Sequence, residues 1–212
     1  MRSRLLLFVS IAAAILYLFT GGNALVKGCA VGALALLALP SDRRLALALA
    51  LCAAGDVLLD LDARLFAFGL GSFLLAHLTY IWLFVRNRAA ARRLERWRVA
   101  AVVLILAYSA GLSAWIVPSV GGLAVPVVLY IGALTGMVCA AILARFRQPW
   151  VPLGAVLFLI SDSLLAIHKF KTPVPLRDYL VWTTYYLGQC GIALGFLAGA
   201  KPFEKAQSAV SR

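Results

Sequence analysis

The sequence is 212 residues long, with 64% hydrophobic residues, 13% charged residues and a net charge of +12. A soluble domain has about a quarter charged residues and just under half apolar ones, so this composition excludes a soluble fold. It also excludes a disordered chain, because such chains are poor in apolar residues. The composition predicts an integral membrane protein with several spans.

Clusters of charged residues, glycine and proline divide the chain into eight apolar segments. In chain order these segments are residues 5–20, 24–40, 45–60, 65–85, 98–117, 123–144, 150–168 and 178–200. They are rich in Ala and Leu and lack the alternation of a membrane β-barrel, so each is predicted to be a transmembrane helix. The expected fold class is all-α, a polytopic membrane protein with a single membrane domain over residues 1–212.

The basic residues predict how this bundle is oriented. Fifteen of the 20 Lys and Arg fall at the two termini and in the loops of one side. They are Arg2, Arg4, Arg43, Arg44, Arg86, Arg88, Arg92, Arg93, Arg96, Arg98, Arg145, Arg147, Lys201, Lys205 and Arg212. By the positive-inside rule this side is cytoplasmic, and so are both termini. Membrane lipids are the expected partners of these charges, nucleic acid is not, and a bacterial inner membrane is the expected location.

Acidic residues inside predicted spans are costly and are therefore candidates for function. Five of the eight acids fall in predicted loops, in the tail or at the outer interface: Asp42, Asp62, Glu95, Asp178 and Glu204. The others are Asp56 and Asp60 in the third span and Asp162 in the seventh. Counting from the cytoplasmic ends at 1.5 Å per residue, Asp56 lies ~16 Å deep and Asp162 ~18 Å deep. If these two spans are neighbours, the two acids face each other.

Such a pair of carboxyl groups has the properties of a general acid and a general base. Low dielectric and mutual repulsion favour one protonated carboxyl beside one ionised carboxyl. One of Asp56 and Asp162 would then donate a proton and the other would accept one, with the assignment left open. The structural alternative is that each Asp only hydrogen-bonds to neighbouring groups and holds helices together.

Further polar residues fall inside the apolar segments. His77 and Tyr80 are one turn apart in the fourth span, and Lys27 enters the second span from the outer side. In the eighth span, Tyr185, Tyr186 and Gln189 add polar groups to an otherwise apolar helix. The only histidines are His77 and His168, so a three-histidine zinc site is impossible, and no metal or other cofactor is expected.

Two sets of residues resemble one known family. Gly55-Asp56-x-x-Leu59, followed by Phe66-x-x-Gly69-x-x-x-Phe73-x-x-x-His77-x-x-Tyr80, resembles the first half of the YhhN family of membrane proteins. Gly154-Ala155-x-x-Phe158-x-x-Ser161-Asp162-x-x-x-Ala166-x-x-Lys169-Phe170, followed by Thr184-Tyr185-Tyr186-x-x-Gln189, resembles its second half. The resemblance covers most of residues 24–198, and the family includes the lysoplasmalogenases of animals and bacteria.

The resemblance implies a hydrolase that cleaves the alkenyl ether bond of lysoplasmalogens, which are lysophospholipids. The products would be a fatty aldehyde and glycerophosphoethanolamine or glycerophosphocholine. The acidic positions of the family correspond to Asp56 and Asp162, the predicted catalytic residues. The predicted substrate-binding or supporting residues are Lys27, Asp60, His77, Tyr80, Ser161, Tyr185, Tyr186 and Gln189.

Two other functions fit the same residues. Paired acids and a buried histidine also suit a proton-coupled transporter of small molecules or lipids. Few Gly or Pro breaks near mid-membrane argue against this alternative. A non-catalytic membrane scaffold fits the composition but leaves the buried acids without a role. Release of aldehyde from lysoplasmalogen by the solubilised protein would separate the enzyme from the transporter.

Overall fold

The computed structural model describes residues 1–20, 23–87, 95–144, 146 and 148–210, with side chains described except at 63 and 200–210. This part of the chain forms eight α-helices joined by short connections. They are α1 (Arg2–Phe19), α2 (Ala24–Ala38), α3 (Arg43–Leu61), α4 (Phe66–Arg86), α5 (Arg96–Ile116), α6 (Ala124–Leu143), α7 (Trp150–Phe170) and α8 (Arg177–Val210). Short 3₁₀ helices cover Ala63–Leu65, Val117–Ser119 and Gly121–Leu123.

Each predicted apolar segment corresponds to one of these helices, which confirms the all-α class. Five helices, α1, α4, α5, α6 and α7, are long and apolar enough to cross a membrane. Helix α2 is apolar but has only 15 residues, and α3 contains Arg44, Asp56 and Asp60. The protein is therefore an integral membrane protein with five candidate spans among its described residues, while the count of eight spans remains a prediction.

The predicted orientation also remains a prediction. Six of the arginines that support it lie outside the described residues: Arg88, Arg92, Arg93, Arg145, Arg147 and Arg212. The other basic residues of that group lie near the start of odd-numbered helices or near the end of even-numbered ones, including Lys201 and Lys205 late in α8. Because successive helices run in opposite directions, the described arginines of this group gather at one end of the bundle, here called the arginine-rich end.

Side-chain caps set where helices α2 and α3 start. Asn23 Oδ1 accepts hydrogen bonds from the backbone N–H groups of Leu25 and Val26, at 3.0 and 3.2 Å. Asp42 Oδ1 accepts from the N–H groups of Arg44 and Leu45, at 2.8 and 3.0 Å. These bonds satisfy backbone donors that have no partner within the helix. They fix where α2 and α3 begin, and Asp42 acts as a helix cap.

Glycines allow α7 and α8 to pack with their backbones in direct contact. A Cβ atom added to Gly154 would lie 2.5 Å from the carbonyl oxygen of Gly188 and 2.7 Å from the nitrogen of Ile192. One added to Gly191 would lie 2.9 Å from the carbonyl oxygen of Trp150. Small residues of this kind permit close helix association in lipid, where no hydrophobic effect drives helices together. This contact holds Asp162 and Tyr185 on adjacent helices.

Helix α3 packs between α2 and α4 by the same means. A Cβ atom on Gly28 would lie 2.5 Å from Val57 Cγ2, and one on Gly55 would lie 2.6 Å from the ring of Phe73. The Ser72 hydroxyl donates a 2.7 Å hydrogen bond to the carbonyl of Leu51, which ties α4 to α3. Further contacts between α4 and α6 and between α2 and α8 close the bundle. The position of Asp56 is therefore set from both neighbouring helices.

Candidate functional site

A cavity of about 250 Å³ lies at the end of the bundle opposite the arginine-rich end. Its lining combines the carboxyl groups of Asp56, Asp60 and Asp162 with apolar side chains such as Phe73 and Leu134. Most lining residues come from the second half of odd-numbered helices or the first half of even-numbered ones. A mostly apolar pocket with a few convergent polar groups is typical of a small-molecule site.

Asp56 is held on α3 by groups from two other helices. Its side chain is 2% exposed, and its Oδ2 accepts a 2.6 Å hydrogen bond from the hydroxyl of Tyr185 on α8. Its Oδ1 lies 3.6 Å from the Nζ atom of Lys27 on α2. A cation and a hydrogen-bond donor together favour the ionised form of a carboxyl group.

Lys27 lies between two carboxyl groups of the same helix. Its Nζ donates a 3.1 Å hydrogen bond to Asp60 Oδ1, and Asp60 Oδ2 accepts a 2.8 Å bond from the hydroxyl of Tyr17. Nζ also lies 5.6 Å from the ring centroid of Tyr17 and 6.0 Å from that of Trp182. Lys27 is thus paired with the aspartates, at a side-chain exposure of 14%.

Asp162 has different surroundings. The hydroxyl of Tyr130 on α6 donates a hydrogen bond to Asp162 Oδ2. The oxygen of the same hydroxyl lies 3.2 Å from His77 Nε2. Since Tyr130 uses its proton for Asp162, His77 must donate from Nε2, which defines its tautomer. Among the described side chains, no Lys or Arg nitrogen lies within the 4.0 Å ion-pair distance of Asp162.

Asp56 and Asp162 reach the cavity from helices that do not pack along each other. Helix α3 packs against α2 and α4, and α7 packs against α8 and α6. The sequence left open whether the third and seventh spans are neighbours. In the structure the corresponding helices, α3 and α7, do not pack against each other. The two carboxyl groups share the cavity because both helices contribute to its lining.

The other predicted site residues fall into three groups. Lys27, Asp60, Ser161 and Tyr185 line the cavity, and the Ser161 hydroxyl donates a 2.9 Å bond to the carbonyl of Val181. His77 lies behind Tyr130, one hydrogen bond away from Asp162.

Three predicted site residues lie elsewhere in the core. The Tyr80 hydroxyl donates a 2.9 Å bond to Gln189 Oε1, and the Tyr186 hydroxyl is 2.7 Å from that of Ser10. None of the three lines the cavity. Tyr186 and Gln189 are three residues apart on α8, yet they contact different helices. Both therefore take part in helix packing.

Two tyrosines of the site were missed from sequence, Tyr17 and Tyr130. Each is the hydroxyl donor to an acid, Asp60 and Asp162 respectively. Tyr130 lies within the apolar helix α6, and a polar hydroxyl in such a helix was the feature by which it could have been identified. Tyr17, near the end of α1, had the ordinary signature of an interfacial tyrosine.

Cationic side chains line the outer part of the cavity. Lys169, in the last turn of α7, has its Nζ 4.0 Å from the ring centroid of Phe66. The Nε atom of Arg177, at the start of α8, lies 3.1 Å from Oδ1 of its neighbour Asp178. Both line the cavity, and they are here called the rim cations. Asp178 also lines the cavity, so two cations and one carboxylate leave this edge with a net positive charge.

Asp62, just after α3, belongs to the same end of the bundle but to a separate interaction. Hydrogen bonds from the Arg64 side chain, at 2.8 Å, lower the pKa of Asp62 below its usual value. It does not line the cavity. In the part of the chain that the structure describes, no group of three or more His, Cys, Asp or Glu is arranged to hold a metal ion.

Comparison with known proteins gives one family and several relatives. The YhhN family profile matches residues 22–196. A protein of Mycobacterium bovis named lysoplasmalogenase is 43% identical over 157 residues, which are 72% of this chain and 59% of the relative. The human lysoplasmalogenase TMEM86A is 32% identical over 180 residues, which are 80% of this chain and 71% of the relative. The chain thus matches about three fifths of the mycobacterial relative's length. No solved structure matches the chain.

Proposed function

The chain belongs to the YhhN family, and on that premise we propose that it hydrolyses the alkenyl ether bond of lysoplasmalogens within the membrane. The products are a fatty aldehyde and glycerophosphoethanolamine or glycerophosphocholine. The observation that carries the proposal is that Asp56 and Asp162 line one cavity in different electrostatic surroundings. The names of the relatives support an enzyme, and the transporter alternative is not favoured.

The chemistry of the bond defines what the site must supply. An alkenyl ether resists nucleophiles. The slow step of its hydrolysis in water is protonation of the double-bond carbon that is not attached to oxygen, which forms an oxocarbenium ion. Water then adds to the carbon next to oxygen and loses a proton, which gives a hemiacetal. The hemiacetal collapses to aldehyde and the free glycerol hydroxyl. The reaction consumes one water and returns the proton, so it needs an acid, a base and no cofactor.

Asp162 is the group best suited to donate the proton. No cation pairs with it among the described side chains, and its described hydrogen bond is accepted from Tyr130 at Oδ2. A carboxyl group in mostly apolar surroundings, with no cation within ion-pair distance, favours the neutral form. The proton is then carried on Oδ1, while the Tyr130 hydroxyl holds the orientation of the group. Asp162 is accordingly the general acid of the proposal.

Asp56 is the group best suited to act as the base. Lys27 at 3.6 Å and the Tyr185 hydroxyl at 2.6 Å favour its ionised form. A carboxylate at this position offsets the positive charge of the oxocarbenium ion and accepts a proton from the attacking water. Lys27 keeps Asp56 and Asp60 together by supplying one positive charge to two acids. These roles assign the acid and the base that the sequence left open.

The rim cations support a lysophospholipid substrate. The phosphate of such a lipid would bind Lys169 and Arg177, and its chain would follow the apolar lining past Phe73 and Leu134. The ether carbon lies just below the head group, and Asp56 lies five residues before the end of α3, or ~7 Å. With the arginine-rich end cytoplasmic, the site faces the other side of a bacterial inner membrane.

The proposal is tested with purified protein in detergent and two matched lipids. One lipid is lysoplasmalogen, and the other has a saturated alkyl ether of the same length, which has no alkenyl carbon to protonate. We expect aldehyde from the first lipid only. In D₂O the aldehyde should carry one deuterium on the carbon next to the carbonyl, and in ¹⁸O water the released glycerol oxygen should stay unlabelled. A folded protein that releases no aldehyde, or cleaves both lipids, would contradict the proposal.

A further inference from the structure

A second groove lies on the outer surface of the bundle, between α3 and α4. Its volume is about 520 Å³, and it is lined by leucines from both helices together with Arg44, Thr79 and Trp82. The leucines are Leu47, Leu51, Leu75 and Leu78. Leu47 and Leu75 are 53% and 54% exposed, so the groove is open toward the membrane. It begins at the arginine-rich end and is separate from the cavity that contains Asp56 and Asp162.

Two arginines contact the same tryptophan at the start of this groove. The guanidinium carbons of Arg44 and Arg86 lie 4.1 and 4.9 Å from the ring centroid of Trp82. In the described part of the chain, neither guanidinium has a carboxylate oxygen within the 4.0 Å ion-pair distance. The nearby acid Asp42 is occupied in accepting hydrogen bonds from backbone N–H groups. Two positive charges are therefore held together with no negative partner among the described side chains.

We propose that this groove is a binding site for an anionic phospholipid. The phosphate binds between Arg44 and Arg86, whose planar guanidinium groups match phosphate oxygens in geometry and charge. Trp82 lies at the depth of the membrane interface, where tryptophan is favoured. From Arg44 to Leu51 the groove extends about 10 Å along α3, so the upper part of one acyl chain lies against the leucines. The charge of the arginine pair selects an anionic head group over a zwitterionic one.

The occupant is distinct from the substrate proposed above. The groove is at the opposite end of α3 from Asp56, and neither Arg44 nor Arg86 lines the catalytic cavity. A lipid there would fill the gap between α3 and α4 near the arginine-rich end. The inference rests on the geometry of the groove and does not depend on the proposed hydrolase activity.

Native mass spectrometry of the full-length protein in detergent tests this site. The protein is titrated with phosphatidylglycerol and with phosphatidylcholine of identical chains, and with glycerol phosphate, which has no chain. We expect tighter binding of phosphatidylglycerol and no binding of glycerol phosphate. Arg44→Gln and Arg86→Gln should each weaken phosphatidylglycerol binding about fivefold. Arg43→Gln, an equal charge change on the neighbouring exposed residue, should leave it within about twofold by the same measure.

A second readout reports on the groove itself. Phosphatidylglycerol with brominated chains should quench tryptophan fluorescence, and the quenching should be smaller in the Trp82→Phe variant. The exposed Trp97, Trp115 and Trp150 supply the quenching that remains. Equal binding of the two lipids, equal losses for Arg43→Gln and Arg44→Gln, or quenching unchanged by Trp82→Phe would overturn the proposal. Binding of glycerol phosphate with the same affinity would identify a free phosphate site and would also overturn it.

Discussion

The hydroxyl of Tyr185 donates a 2.6 Å hydrogen bond to Asp56 Oδ2 and so connects α8 to α3 inside the cavity. The ring of Tyr185 is packed edge-on against Phe73 and Phe158, with centroid distances of 5.9 and 5.1 Å. These ring contacts fix the hydroxyl in place without help from the hydrogen bond. The bond can therefore be removed while the packing is kept.

Tyr185→Phe should lower the rate of aldehyde release with little change in thermal stability. A hydrogen bond to a charged group contributes about 1.5–3 kcal/mol, so we expect the rate to fall about 10- to 100-fold. Tyr179→Phe makes the same change on the same helix at a residue that is 53% exposed, and should leave the rate unchanged. Equal rates for the Tyr185 variant and the native protein would show that this bond has no role in catalysis.

Tyr130→Phe should affect the other carboxyl group. It removes the donor to Asp162 Oδ2 and the acceptor of His77 Nε2, so Asp162 loses its orientation. We expect kcat to fall about tenfold while KM stays unchanged, because a positioning group acts on the proton transfer and not on lipid binding. Steady-state kinetics in mixed micelles measures both constants. A rise in KM with native kcat would assign Tyr130 to substrate binding instead.

Lys27→Met should destabilise the fold as well as remove activity. It leaves the carboxylates of Asp56 and Asp60 without a cation in a mostly buried position, at a cost of about 3 kcal/mol. Adding Asp60→Asn should restore much of the stability, because one of the two unpaired charges is removed. Activity should stay low in both variants. Thermal unfolding in detergent supplies the measurement, and stability that Asp60→Asn does not restore would argue against a shared cation.

Gly154→Ala should separate α7 from α8. The added Cβ atom would lie 2.5 Å from the carbonyl oxygen of Gly188, and backbone atoms cannot move aside as a flexible side chain can. Overpacking of this kind costs about 1–3 kcal/mol, so we expect a lower unfolding temperature. Gly111→Ala on α5 has nothing within 4 Å of the new atom and should be neutral or slightly stabilising. Equal stability of the two variants would contradict the packing described for Gly154.

The helices could be predicted from sequence because charges and Gly/Pro clusters separate apolar runs, and lipid requires every backbone group to be paired within its own segment. For example, the predicted segment 24–40 agrees with α2, Ala24–Ala38, to within two residues at its end. Asp56 and Asp162 could also be identified, because a carboxyl group inside an apolar segment is conspicuous. Both then line the same cavity.

The partners of these acids could not be predicted, because they come from distant parts of the chain. Tyr130 reaches Asp162 across 32 positions, and Tyr185 reaches Asp56 across 129. Tyr186 and Gln189 were both predicted as substrate-binding or supporting residues, yet they contact Ser10 and Tyr80 respectively. Which helix a polar face meets depends on the close glycine contacts, and single-helix periodicity carries no information about those.

The most direct test of the central claim is aldehyde release from lysoplasmalogen by purified Asp162→Asn protein. Loss of a general acid should lower the rate about 10²- to 10⁴-fold, with native secondary structure and unfolding temperature retained. Asp62→Asn changes an exposed carboxyl group at the same end of the bundle and should keep the native rate. If folded Asp162→Asn protein releases aldehyde at the native rate, Asp162 is not the acid and the proposed mechanism is wrong.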